Sequence, residues 1–186
     1  MATYARAAAA LLIAILASTT LLMNPCTAVA ADAALDGDVA AALNTLLDIT
    51  PSAKTLASNA KGILVFPNIV KAGFIVGAQY GKGALLTNGR TTAYYNIAAA
   101  SYGLQAGVQS FGYALFFMTP AALEYLDKTA GFEVGVGPSV VVVDEGMART
   151  LTTTTARDDV YAFIFGQKGL MAGAGLQGSK ITKTSP

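Results

Sequence analysis

A glycine-framed apolar heptapeptide occurs four times in this chain and constrains its fold more than any other feature. The copies begin at Gly73 (Gly-Phe-Ile-Val-Gly-Ala-Gln), Gly103 (Gly-Leu-Gln-Ala-Gly-Val-Gln), Gly131 (Gly-Phe-Glu-Val-Gly-Val-Gly) and Gly169 (Gly-Leu-Met-Ala-Gly-Ala-Gly). Read at a period of two, the bulky residues fall on one strand face and the framing glycines on the other. A strand with a bare face lets another backbone or a ligand come close. Glycines inside strand patterns mark bulges, bends or close approach. The repeat therefore predicts tight strand curvature within a β-rich core, with a glycine-lined ligand face as the alternative.

Further strand signals surround the repeats. Gly73 to Tyr80, Gly83 to Thr87 and Thr91 to Asn96 read as short strands, and Asn88-Gly89 is the strongest hairpin signal. The apolar parity of Tyr102, Leu104, Ala106 and Val108 shifts to Phe111, Tyr113, Leu115 and Phe117, which predicts a bulge near Ser110. Val140 to Val143 reads as a buried strand and Arg149 to Thr155 as an exposed one. Val160 to Phe165 and Leu170 to Ile181 complete the set.

Helices are fewer. Leu35, Val39, Leu43, Leu46 and Leu47 follow helical spacing, and the polar face opposite them carries only aspartates, which suits packing on a core better than lying on a membrane. Thr50-Pro51 and Thr119-Pro120 are helix starts, closed by Gly62 and Gly131. Their likeness hints at an internal duplication. Without regular βαβ alternation, these elements predict an α+β fold: a curved antiparallel or barrel-like sheet with two to three packed helices.

The first 30 residues read as a signal peptide. Arg6, the apolar run Ala7 to Met23 and Ala28-Val29-Ala30 supply its three regions. A retained anchor and a lipoprotein acylated at Cys26 are the rivals. Removal after Ala30 would leave residues 31–186 as one domain with no cysteine and no disulfide. This suits an exported protein of the bacterial periplasm or envelope.

Charge excludes some functions and suggests another. The chain has no histidine, and Cys26 is its one cysteine, so thiol catalysis, the commonest general base and the usual transition-metal ligands are missing. No metal or other cofactor is expected. Asp144-Glu145 and Asp158-Asp159 are the only carboxylate pairs and read as turn or helix-start residues. Gly81-Lys82-Gly83 lacks the spacing of a phosphate loop. The net charge of +1 hides an uneven distribution: Lys54 to Arg90 and Lys168 to Lys183 contain no acid. If the fold gathers those stretches, they form a basic surface.

Several blocks resemble the SYLF domain family, the lipid-binding and yeast-type actin-binding domain. They are Ala60-Lys61-Gly62-Ile63-Leu64-Val65-Phe66-Pro67, Lys71-Ala72-Gly73-Phe74, Tyr80 to Leu86, Ser101 to Gly107, Tyr161-Ala162-Phe163 through Leu170, and Gly178-Ser179-Lys180-Ile181. The resemblance spans about residues 35 to 183. It implies phospholipid binding and, in yeast members, actin binding, which a bacterial envelope gives no occasion for. It leads to a non-enzymatic module that binds anionic phospholipid. Lys61, Lys71, Lys82, Lys168 and Lys180 are the candidate headgroup contacts. The alternative is a structural module that pairs with a protein partner or a second copy through its glycine-rich strands; a small enzyme ranks last. Nucleic acid is not an expected partner of an exported chain.

Overall fold

A computed structural model describes residues 26–128, 132–133, 138–143 and 157–184. Residues 1–32 and 33–186 form two units; of the first only helical residues 26–32 are described, and the sheet with its core belongs to the second. The signal peptide, the third glycine repeat beyond Phe132-Glu133, Asp144-Glu145 and the strand expected at 149–155 lie outside the described residues or largely so.

Three helices and five strands are described: α1 (Cys26–Ile49), α2 (Pro51–Ala57), β1 (Gly62–Thr87), β2 (Arg90–Phe117), α3 (Pro120–Lys128), β3 (Phe132–Glu133), β4 (Val140–Val143) and β5 (Val160–Thr184). The strands form one sheet in the order β1-β2-β5-β3, with β4 running parallel to the start of β5 and the other pairs antiparallel. The α+β class with a curved sheet is thus observed.

Strand length departs from the expectation. The runs Gly73 to Tyr80 and Gly83 to Thr87 fuse with the residues before them into one strand of 26 residues, Gly62–Thr87, and the runs Val160 to Phe165 and Leu170 to Ile181 into one of 25, Val160–Thr184. The glycines that resemble breaks are bends inside continuous strands. In β1, a side chain begun on Gly81 would meet Ile69 Cγ1 at 2.8 Å and the Asn68 carbonyl oxygen at 3.1 Å. Gly83 likewise lies against the Val65 carbonyl and the Phe66 ring. Twelve extended residues span about 40 Å, so Ile69 and Gly81 can touch only if β1 doubles back on itself. The bend falls at the first glycine repeat, where Ile75 takes φ 68° and the ladder with β2 shifts. Its neighbours in the sheet are the second and fourth repeats: Gly73 pairs with Gly107, and Gly103 with Gly175. Curvature, one of the two readings of the glycines, is the one the backbone supports.

Two further irregularities cross the sheet together. Pro67 and Asn68 are squeezed in opposite Gly112, and Gly166-Gln167 opposite Phe111, which is the bulge expected near Ser110. Asn88 (φ 53°) and Gly89 (φ 74°) form the expected hairpin turn between the paired Thr87 and Arg90.

Bending lets both halves of each long strand feed one core. Leu64, Phe66, Ile69 and Leu85 of β1 cluster with Tyr95, Ile97, Leu115 and Phe117 of β2 and with Val160, Ala162 and Ile181 of β5. Ala122 and Leu126 of α3 join them. The alternate residues Val65, Ala114, Phe116, Tyr161 and Phe163 face the other way, into a second cluster covered by Val39 and Leu46 of α1 and by Ala53 and Leu56 of α2. Phe116 and Phe163 meet edge to face at 5.1 Å.

Helix α1 buries the face its leucine spacing indicates, and Asp36 ties it to the hairpin by accepting hydrogen bonds from Thr91 Oγ1 (2.8 Å) and the Tyr94 hydroxyl (3.2 Å). It stops before Thr50, whose extended conformation (φ −128°, ψ 95°) is what a following proline favours. Thr50 holds the N-cap position of α2 without a side-chain capping bond. Thr119 does cap α3, accepting from the Ala122 amide at 3.3 Å. Helix α2 leads into the long β1, whereas of the strand after α3 only Phe132–Glu133 (β3) is described, so the hinted duplication falls largely outside the described residues. In β4, Val143 is buried but Val142 is exposed, because this short strand covers only the start of β5.

Candidate functional site

Among the described residues, cations and acids separate by element. The three long strands carry Lys71, Lys82, Arg90, Lys168, Lys180 and Lys183 and no carboxylate. The described acids sit in the helices, in β3 and in the segment before β5. Two of these acids hold the end of the sheet far from the bend. Asp159 accepts from Thr119 Oγ1 at 3.1 Å and from Ser139 Oγ at 3.3 Å, tying the starts of α3, β4 and β5 together. Asp158 accepts from the Tyr161 hydroxyl at 3.3 Å. Lys183 is held by Asp127 at 2.7 Å; Tyr95 donates to the same carboxylate oxygen at 2.7 Å. The Lys183 ammonium holds the Asp127 carboxyl below its ordinary pKa, and burial pushes the Tyr95 hydroxyl well above its own.

The five candidate lysines are not all in one place. Lys168 shares a row with Ser110 and Val70, and Lys71 shares the next row with Gln109 and Gly169. Both rows lie four to five residues from the bend, on the first half of β1. Lys82 lies in a row with Asn96 and Thr182, and Lys180 in a row with Ala98 and Tyr80, on the second half. The register sets Glu133 of β3 opposite Lys180. Lys61 stands apart at the start of β1, where its amide donates to the Phe117 carbonyl. It lines a shallow cleft with Thr119, Arg157 and Asp158.

Between the two pairs of lysines lies a feature that the sequence pattern does not single out. Phe74 is 76% exposed, Val76 61% and Ile75 46% at the bend. Cross-strand pairing continues this apolar surface. Val70, Ala72 and Phe74 share one outward face with Val108, Ala106 and Lys168. Val76, Ala78 and Tyr80 share the outward face beyond the bend with Ala98, Lys82 and Lys180. Alternation correctly groups Phe74 and Val76 on one strand face, but that face does not point to the core: the bend turns it outward. Three large apolar residues between two glycines are the available signal.

A second concavity opens inside the curled sheet. It has a volume of about 220 Å³, with walls of Ile97, Phe111, Val142 and Ile164. Tyr113, Gln79 and Ser179 supply polar atoms, the last two set in one row by Ala99 between them. Tyr113 is only 7% exposed, and its hydroxyl has no hydrogen-bond partner among the described residues. Burial pushes its pKa up to about 12.

Comparison with known families bears on residues 98–185, which match the model of the Ysc84 family, described as a Las17-binding protein actin regulator. The match takes in most of β2 and all of α3, β3, β4 and β5, and leaves β1 outside. No curated protein matches the chain.

Proposed function

We propose that this chain, whose residues 98–185 match the Ysc84 (SYLF) family model, is a non-enzymatic module that docks on anionic phospholipid membrane through the bend of its sheet. The family is associated with lipid and actin binding. The observation that carries the lipid reading is the exposed Phe74-Ile75-Val76 tip with lysines on both of its flanks. An exposed apolar patch rimmed by polar residues is the usual mark of a protein or membrane contact. Aligned with an anionic surface, each lysine contributes about 1 kcal/mol, and the apolar tip adds burial that a charged protein surface would not reward. Lys82, Lys168 and Lys180 are the headgroup contacts in this reading; Lys71 alternates with Val70 and Ala72 and so faces the other side of β1, and neither it nor Lys61 has a part in it. The signal-like N-terminal sequence supports a membrane of the bacterial envelope as the target.

Pairing through the glycine strands has less support. The free side of β1 is already approached by its own other half at Gly81 and Gly83. Actin regulation is named in the family description, and an exported chain would not meet it.

Co-sedimentation with vesicles tests the proposal. Binding is expected to vesicles containing phosphatidylglycerol, to weaken with salt as the surface field is screened, and to fall at least about fivefold for Lys82→Glu and for Lys168→Glu. Equal binding to neutral vesicles, or indifference to both reversals, would overturn it. Intact mass of the exported protein checks the compartment: a chain beginning near Ala31 is expected, and one acylated at Cys26 contradicts it.

A further inference from the structure

The concavity inside the curled sheet is separate from the bend and faces the opposite side of the strands. It combines an apolar wall, a tyrosine hydroxyl with no hydrogen-bond partner among the described residues, and no charged side chain among its described lining residues. We propose that it is a binding site for a small uncharged amphiphile: an apolar body of roughly ten to twelve heavy atoms at interior packing density, bearing one hydroxyl or carbonyl that bonds to Tyr113.

The residues define the chemistry of the ligand. Ile97, Phe111, Val142 and Ile164 give it only carbon to pack against. The Tyr113 hydroxyl has no hydrogen-bond partner among the described residues and opens to the cavity, so a ligand hydroxyl or carbonyl can take the place of water there. Gln79, only 6% exposed, and Ser179 place amide and hydroxyl groups along the same inner face. A carboxylate or phosphate would find no cation among the described lining residues; Lys180 neighbours Ser179 and so points to the opposite face of β5. Entry is past Ile164, which lies directly opposite Tyr113 in the ladder and is 43% exposed. The tyrosine stays protonated throughout the neutral range and is available as donor or acceptor.

The probes are 1-naphthol, naphthalene and 1-naphthoate, titrated calorimetrically into the full chain at neutral pH. 1-Naphthol is expected to bind saturably at one per chain, and 1-naphthoate at least about tenfold more weakly because its charge cannot be desolvated without a partner. Tyr113→Phe removes only the hydroxyl and is expected to weaken 1-naphthol about fivefold while leaving naphthalene unchanged. Ile164→Trp fills the mouth from an exposed position and is expected to abolish binding of both. Absence of saturable binding to the wild type would overturn the proposal, as would an Ile164→Trp variant that binds normally, or a 1-naphthol affinity that Tyr113→Phe does not change. Should Tyr113→Phe fail to fold, the wild type still decides: naphthalene binding as tightly as 1-naphthol would remove the role of the hydroxyl.

Discussion

Gly73 and Gly77 meet across the bend of β1: a side chain begun on Gly73 would put its first carbon 2.5 Å from the Gly77 Cα and 3.0 Å from the Val76 carbonyl oxygen. Neither neighbour is a side chain that could swing away. Gly73→Val is therefore expected to lower stability in urea by more than about 2 kcal/mol. Gly169→Val is expected to cost at least as much, since Gly169 takes φ 91° and lies against the Val108 carbonyl. Gly37, on an open helix face with nothing within 4 Å, is the control: Gly37→Ala is expected to gain about 0.5–1 kcal/mol. A fully stable Gly73→Val protein would mean that the bend is not tight.

The network of Lys183, Asp127 and Tyr95 sets an acid limb of stability. Asp127 is held below its ordinary pKa chiefly by the Lys183 hydrogen bond. A lowered carboxyl pKa contributes stability above the unfolded value, about 4, that is lost as pH falls through the folded one. The melting temperature should fall on that limb, and Asp127→Asn should flatten it. An unchanged acid limb in Asp127→Asn would place the effect elsewhere.

An alkaline limb has the opposite sign. Burial raises the pKa of Tyr95 and moves that of Tyr113 to about 12. Stability held by neutral tyrosine is complete below about pH 10 and is lost as pH rises through the folded values. Melting curves from pH 9 upward should show this decline, and Tyr113→Phe should reduce its steepness. A decline as steep in that variant would exclude Tyr113 as a source.

Asp36 anchors α1 through Thr91 and Tyr94. Asp36→Ala is expected to cost about 1–2 kcal/mol and to speed amide exchange along residues 33–49 before it affects the sheet. Uniform destabilisation without faster exchange in the helix would show that the anchor is not local.

Local signals in this chain are readable and distant ones are not. Asn88-Gly89, the parity change around Ser110, the leucine spacing of α1 and both Thr-Pro helix starts depend on neighbours in sequence, and each feature is found where expected. Strand length is misread because a glycine that bends a strand and a glycine that ends one have the same local chemistry. Only the partners, such as Asn68 beside Gly81, distinguish them. The bend also reverses the meaning of Phe74 and Val76, which alternate like core residues and stand in solvent. Tyr113 becomes notable only when Gln79 and Ser179, from two other strands, line the same space.

Tryptophan at the bend tests the membrane reading most directly. The chain contains none, so Phe74→Trp reports on one position alone. Phe74 is already exposed, and the larger ring needs no room in the core. On vesicles containing phosphatidylglycerol the emission is expected to shift to shorter wavelength and to be quenched by brominated acyl chains, with both effects fading as salt is raised. Emission that stays at its free value while the protein sediments with those vesicles would contradict docking through the bend. So would a shift of equal size on neutral vesicles.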